Sequence, residues 1–420
     1  MKPSLAERAK TFEEYLDSIR DKDGLVLSGI KADELRPWRD EDLKSFDIWE
    51  NWAHDPSGCL SYEDCLMATG RYIGAKVLKH LAAGGDSKTL ADAERSARAI
   101  LAVSREGDKS EDGFLPKPFG GLSKASLSKN TSNDQYEHAL FGLWTFRRAC
   151  PNSGLIPEIE SAIVRWTEYF IRRDFSYLFH GYIWVCTDPM DRSDGMPVTV
   201  GRHSLGLYFP LCAMSYQISG NAKYLDLLHR RLLPSLRRWL ADPKLGFSGH
   251  SNSCNLLGQG LYFCWKNDII REEAAQAVEM CCAIAESRLS KKDGLEYDYA
   301  HVGVTDENQI EPHFLDRPLP SDNWKWGLWI SNAKGASSTI TAHLDALALR
   351  IRPGRGRSAT IHRILDHFVS PGDMTHLIDF DGRQVPPEYG WTTNDIVSVC
   401  PAAWLQAYYL MSLPMDMDGL

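Results

Sequence analysis

Several signatures are missing from this chain, and each absence removes a class of function. Its ten cysteines contain no Cys-x-x-Cys pair, so a structural zinc site has no framework. No HExxH occurs, and His362 and His367 lie five apart on a charged helix, so no metal and no cofactor are expected. GRGR at Gly354–Arg357 is too short for a phosphate loop. No run approaches the roughly 20 apolar residues needed to cross a bilayer. The start, MKPSLAERAKTFEEYLDSI, carries acids throughout and lacks the apolar core of a signal peptide. A cytoplasmic protein with no membrane partner is therefore expected, its thiols reduced and buried inside helices. Basic charge is not in excess: 56 acidic residues are well mixed with 47 basic ones, for a net −9. That leaves no footprint for nucleic acid. There is no linker of Pro, Gly and Ser and no low-complexity tract, so a single domain over 1–420 is expected where length alone permits two or three.

What the chain does have is a recurring phrase. A long polar and aromatic loop leads to a cap, then an apolar helix, a short link and a charged amphipathic helix. The stretch TSNDQYEHALFGLWTFRR, Thr131 to Arg148, is the plainest case. Apolar helices are expected near 62–81, 133–149, 203–218, 253–265, 337–349 and 395–413, the first capped by Ser61. Their charged companions are 87–104, 156–172, 223–240, 271–289 and 357–368. Helices apolar all round need neighbours on every side, whereas those with one stripe face water. Six inner helices need six outer ones, and the leftover helix 5–19 supplies the sixth beside 395–413. The pattern predicts an all-α (α/α)6 barrel, a six-hairpin toroid whose N-terminal helix closes the outer ring. An open helical-repeat array would need polar terminal caps, yet the last helix ends on Tyr408, Tyr409, Leu410 and Met411.

This hairpin rhythm resembles the (α/α)6 carbohydrate-active enzymes: glucuronyl and other glycoside hydrolases, toroidal polysaccharide lyases and sugar epimerases. The resemblance covers nearly the whole chain, in rhythm and loop placement. It implies an active cleft where loops pass from outer to inner helices, and here those loops are the long ones, such as 174–202, 290–334 and 371–394. Links from inner to outer helices, such as Gly84-Gly85, are short.

The polar residues of the long loops should then converge on one mouth, where helix N-termini favour an anionic ligand. Asp134, in the first turn of an inner helix, is the candidate general acid, with Asp188, Asp191 or Asp194 of TDPMDRSDG as its partner. Glucuronyl hydrolases draw essential carboxylates from around inner helices two and three, which by position matches this set. Candidate substrate contacts are Asn133, Tyr136, Trp184, Arg202, His203, His250, Asn252, Tyr299, His301, His313, Trp324, Trp326 and Trp391, the aromatic ones as stacking platforms. EYDYAHVG, Glu296 to Gly303, reads as a short strand or lid. The reading is a glycoside hydrolase acting by general acid/base catalysis on short, uronic-acid-containing oligosaccharides. Three alternatives stay open: a lyase using Tyr or His in β-elimination, a sugar isomerase or epimerase, and a non-enzymatic helical-repeat interaction protein. Oligomeric state is not legible.

Overall fold

The six apolar stretches form helices buried nearly all round. The computed structural model describes residues 2–43, 56–179, 183–188, 198–247, 249–289, 300–301, 331–332, 336–374, 376–379 and 392–420. The inner helices are α3 (Cys65–Ala82), α5 (Asn133–Ala149), α7 (Leu205–Ser219), α10 (Ser251–Lys266), α12 (Ala336–Ile351) and α14 (Val399–Ser412). Each packs on the next, and α14 returns to α3, so the ring is closed. Outside it lie α1 (Leu5–Ser18), α4 (Ser87–Asp108), α6 (Ile156–Arg172), α8 (Lys223–Leu227) with α9 (Leu233–Ala241), α11 (Arg271–Ser287) and α13 (Arg355–His367). A short α2 (Pro56–Tyr62) precedes α3. The fold is an all-α (α/α)6 toroid.

Local chemistry explains the two kinds of helix. On α6, Ile159, Ala162, Ile163, Trp166 and Phe170 make one buried stripe at helical spacing. On α3, every residue from Cys65 to Leu78 is buried. Glycine lets such helices approach closely. A Cβ on Gly70 would lie 2.0 Å from the carbonyl oxygen of His138, and one on Gly206 would lie 2.2 Å from that of Leu256. These close approaches join α3 to α5 and α7 to α10.

Helix α1 closes the outer ring, as the count of hairpins requires. A capping box of Ser4 and Glu7 starts it. Phe12 packs on Trp404 of α14 with ring centroids 4.6 Å apart. Arg8 donates to the carbonyls of Leu365 at 3.3 Å and Asp366 at 3.0 Å, at the end of α13.

Three local expectations need correction. Ser61 lies inside α2 and caps nothing, because α3 begins after Asp64. The last inner helix begins at Val399, while Asp395 belongs to a strand, paired with Lys31 and His376. The outer helix expected over 223–240 is interrupted by a π turn at Leu228–Leu232. Pro234 has no N–H for the carbonyl four residues back, and the widened turn accommodates it.

The strands lie in segments that feed inner helices. β1 (Gly29–Lys31), β2 (Arg36–Pro37), β6 (Ala300–His301), β7 (Ser331–Asn332), β8 (His376–Asp379) and β9 (Thr392–Val397) form one sheet in the order β2-β1-β9-β8-β7-β6. β3 (Ser176–Phe179), β4 (Ile183–Cys186) and β5 (Val198–Val200) form a second. Ala300 and His301 thus give EYDYAHVG its short strand. The opposite end of the ring is covered by the tail after α14, whose Asp418 receives Tyr262 and Lys266 of α10. The nine cysteines whose side chains are described are free, and eight of them are buried.

Candidate functional site

The N-terminus of α5 brings charge to the mouth of the ring. Asp134 stands in its first turn, half-buried, and its Oδ1 accepts from the Ser132 hydroxyl and, at 2.9 Å, from the Gln135 N–H. Gln135 in turn donates at 3.0 Å to Asp64, the residue just before α3. Lys117, buried in the loop before α5, donates to Glu63 and lies 4.0 Å from Asp64. Burial works against the Lys117 ammonium. The charges of Glu63, Asp64 and Asp134 outweigh it and push its pKa up. Lys117 thus pairs directly with Glu63, lies beside Asp64 and feels the charge of Asp134.

His203, just before α7, belongs to this group electrostatically. Its ring is half-buried, and Nδ1 has no hydrogen-bond partner among the described residues. Desolvation lowers its pKa to about 4, with Asp134 opposing the shift, so the imidazole is neutral at pH 7. Asn133 is buried, and its Oδ1 accepts from the Tyr177 hydroxyl at 2.9 Å. Across the ring, His250 caps α10 by accepting from the Ser253 N–H at 3.0 Å. Asn252 follows it in the first turn of α10, half-buried.

Other predicted residues have different work. The Tyr136 hydroxyl donates to the Gly113 carbonyl at 2.8 Å and accepts from the Leu115 N–H, while its ring packs edge-on against Trp166 and Phe170. It pins the preceding loop and is fully enclosed. Asp188 is clamped by Arg202 at 2.6 Å, Arg231 at 3.1 Å and Arg238, with Ser235 at 3.2 Å. Burial raises its pKa, but Arg202 and Arg238 override that and hold the carboxyl below its usual range. An acid held ionised by guanidinium groups is no proton donor. Asp188 and Arg202 form a buried ion pair that anchors the loop on α9, with Asp188 in the ionised form that a base or nucleophile requires. Trp184, half-buried in β4, carries Arg173 over its ring, with the guanidinium carbon 5.4 Å from the centroid. Asp191, Asp194, Tyr299, His313, Trp324, Trp326 and Trp391 lie outside the described residues, as does the side chain of His301.

The ring also contains a polar layer that lies outside the candidate residues of the long loops. Arg71 of α3 donates to Gln406 of α14 at 2.9 Å and to Asn255 of α10, and lies 3.3 Å from Nδ1 of His343 on α12. Asn255 Nδ2 is 3.0 Å from the same nitrogen. Glu137 and His138 join from α5, both buried. Neither carboxylate oxygen of Glu137 has a partner among the described residues. Burial drives the Glu137 pKa well up, Arg71 opposing and Asp134 adding to it. A signal was present: Asp134, Glu137 and His138 stand at i, i+3 and i+4 and share a helix face. Among the described residues, no group of three or more His, Cys, Asp or Glu is placed to hold a metal, and no helix is long and apolar enough to cross a membrane.

No protein-family model and no curated protein matches this chain. Among solved structures it is similar to the glycoside hydrolase family 76 (mannosidase) Bt3792 from Bacteroides thetaiotaomicron VPI-5482. The sequences are 12% identical and the TM-score is 0.48, over 97% of this chain and 98% of that one.

Proposed function

We propose that this protein is a glycoside hydrolase that cleaves short, uronate-bearing oligosaccharides by general acid/base catalysis, with Asp134 transferring the proton. The observation that supports it is the placement of Asp134. It opens an inner helix at the mouth, half-buried, held through one oxygen, in a charged group with Lys117, Glu63 and Asp64. Six inner helices direct their N-termini to this end, and their partial positive charge suits an acidic sugar. The second carboxyl of such a pair is Asp191, Asp194 or Asp64. Their separation from Asp134 in a substrate complex sets the outcome: about 5 Å for retention, about 6.5–9.5 Å for inversion through water.

One observation favours β-elimination as the second reading. His203 is neutral at pH 7 and lies near Asp134, and a neutral imidazole can abstract the proton at C5 of a uronate. A panel of saturated and unsaturated uronic-acid oligosaccharides separates the two. Hydrolysis releases reducing ends and removes the ultraviolet absorbance of an unsaturated terminal sugar. Elimination from a saturated substrate creates that absorbance, and its appearance would replace the hydrolase reading with a lyase.

A further inference from the structure

Asp64 stands immediately before α3, where an acid ordinarily folds back to cap the first turn of its own helix. Here its side chain makes no capping bond. The backbone is pinned on both sides: the Asp64 N–H donates to the Ser28 hydroxyl at 3.1 Å, and its carbonyl accepts from the Ala68 N–H at 3.0 Å. The carboxylate reaches across to α5 instead. Its Oδ1 accepts from Gln135 Nε2 at 3.0 Å and lies 4.0 Å from Lys117 Nζ, with the side chain 31% exposed.

Gln135 serves both acids. It is fully buried; its backbone N–H donates to Asp134 Oδ1 at 2.9 Å, and its side-chain amide donates to Asp64. A single residue thus spans the two carboxyls. The helices that carry them are locked together too, since a Cβ on Gly142 of α5 would lie 2.7 Å from Cα of Gly70 on α3. The Gln135 amide, the Lys117 ammonium and the N-terminus of α3 all favour negative charge at Asp64. Asp188 is ionised as well, but Arg202 and Arg238 occupy its Oδ1 and Arg231 its Oδ2, and its side chain is 10% exposed. Asp64, by contrast, is held, charged and open to the mouth.

We propose that Asp64 is the ionised partner of Asp134 and that Gln135 is the positioning residue that holds the two carboxyls in register, an inference that rests on the hydrolase reading above. As the glycosidic C–O bond breaks, its electron pair goes to the leaving oxygen, which takes the proton of Asp134. The new bond at the anomeric carbon comes from a water, whose proton passes to Asp64, or from Asp64 itself. In the second case a water then attacks the anomeric carbon, gives its proton to Asp134 and returns the ester electron pair to Asp64. Both routes consume one water and use no other co-reactant.

The test uses the full chain and a uronic-acid oligosaccharide that the wild type hydrolyses. If the wild type hydrolyses none, the hydrolase reading falls and takes this inference with it. Asp64→Asn keeps the shape and the acceptor for Gln135, and its kcat should fall by about 10²-fold or more with KM and melting little changed. Near-wild-type kcat there overturns the role of Asp64 while the hydrolase reading stands. In Asp64→Ala, sodium azide should restore turnover and yield a glycosyl azide, because a small anion can stand where the carboxylate was. A folded Asp64→Ala that azide does not revive would make Asp64 structural and overturn the assignment; if that variant does not fold, Asp64→Asn decides. Gln135→Met keeps the length and removes the donor, and its kcat should fall about tenfold or more at nearly constant KM. Unchanged kcat, with or without a lower melting temperature, overturns the positioning role of Gln135.

Discussion

Two side chains at the mouth carry the functional argument, and each can be tested alone. Asp134→Asn keeps the size and the acceptor for Ser132 and Gln135 while abolishing proton transfer. We expect kcat to fall by about 10²-fold or more with KM little changed and melting unaffected. A near-wild-type kcat removes Asp134 from the mechanism. His203 makes a prediction that needs no substrate. Its folded pKa of about 4 lies below its ordinary value of 6.5, so the folded state excludes a proton that the unfolded state takes up. Stability from this group is therefore complete above pH 6.5 and is lost as pH falls towards 4, by up to about 3 kcal/mol. His203→Gln should flatten the stability profile in that window, and the ring resonances of His203 should titrate near 4. Titration near 6.5 would mean that the ring is solvated.

Helices pack here by close approach at glycine, and the α3–α5 and α7–α10 contacts rest on it. Gly70→Ala or Gly206→Ala pushes a methyl into a backbone carbonyl of the neighbouring helix, so the helices must separate along their length. Each should cost about 3 kcal/mol or more in urea unfolding. Gly154→Ala, with nothing within 4 Å of the added carbon, should stay within about 0.5 kcal/mol of wild type. Equal effects at the three positions would show that close packing at Gly70 and Gly206 does not set the cost. The elements themselves were largely legible, because the spacing of apolar residues at α6 or α10 depends on neighbours three and four places away. Boundaries were less so. Asp395 looked like a helix start beside an apolar run, but sheet pairing with Lys31 claimed it. Pro234 was a signal that the expectation of one helix over 223–240 passed over, and the interruption takes the form of a π turn.

Closure is a property of the whole molecule, and α1 is the piece that completes the outer ring. Phe12 is fully buried against Trp404, so Phe12→Ala opens a cavity between α1 and α14 and should cost about 3–5 kcal/mol. Because the inner helices support one another around a circle, the loss should lower a single cooperative transition. A separate early transition for α1, with the rest of the ring melting as before, would contradict the closed-ring account. In solution scattering the protein should have a radius of gyration near 22 Å, the scaling value for a compact chain of this length.

By itself the sequence determined the helices, their division into buried and water-facing classes, and the need for a sixth outer partner. All of these follow from periodicity within a few residues and from counting. It also marked Asp134, since an acid in the first turn of an apolar helix after a long loop is visible locally. Tertiary structure alone decided which polar groups meet. Arg71 finds His343 across 272 residues of chain. Tyr136 spends its hydroxyl on Gly113 and Leu115, and Asp188 is taken by Arg202, Arg231 and Arg238. The physical reason is range: helix formation is set by neighbours along the chain, whereas a buried carboxyl or hydroxyl is satisfied by whichever partner the closed ring brings within about 3 Å.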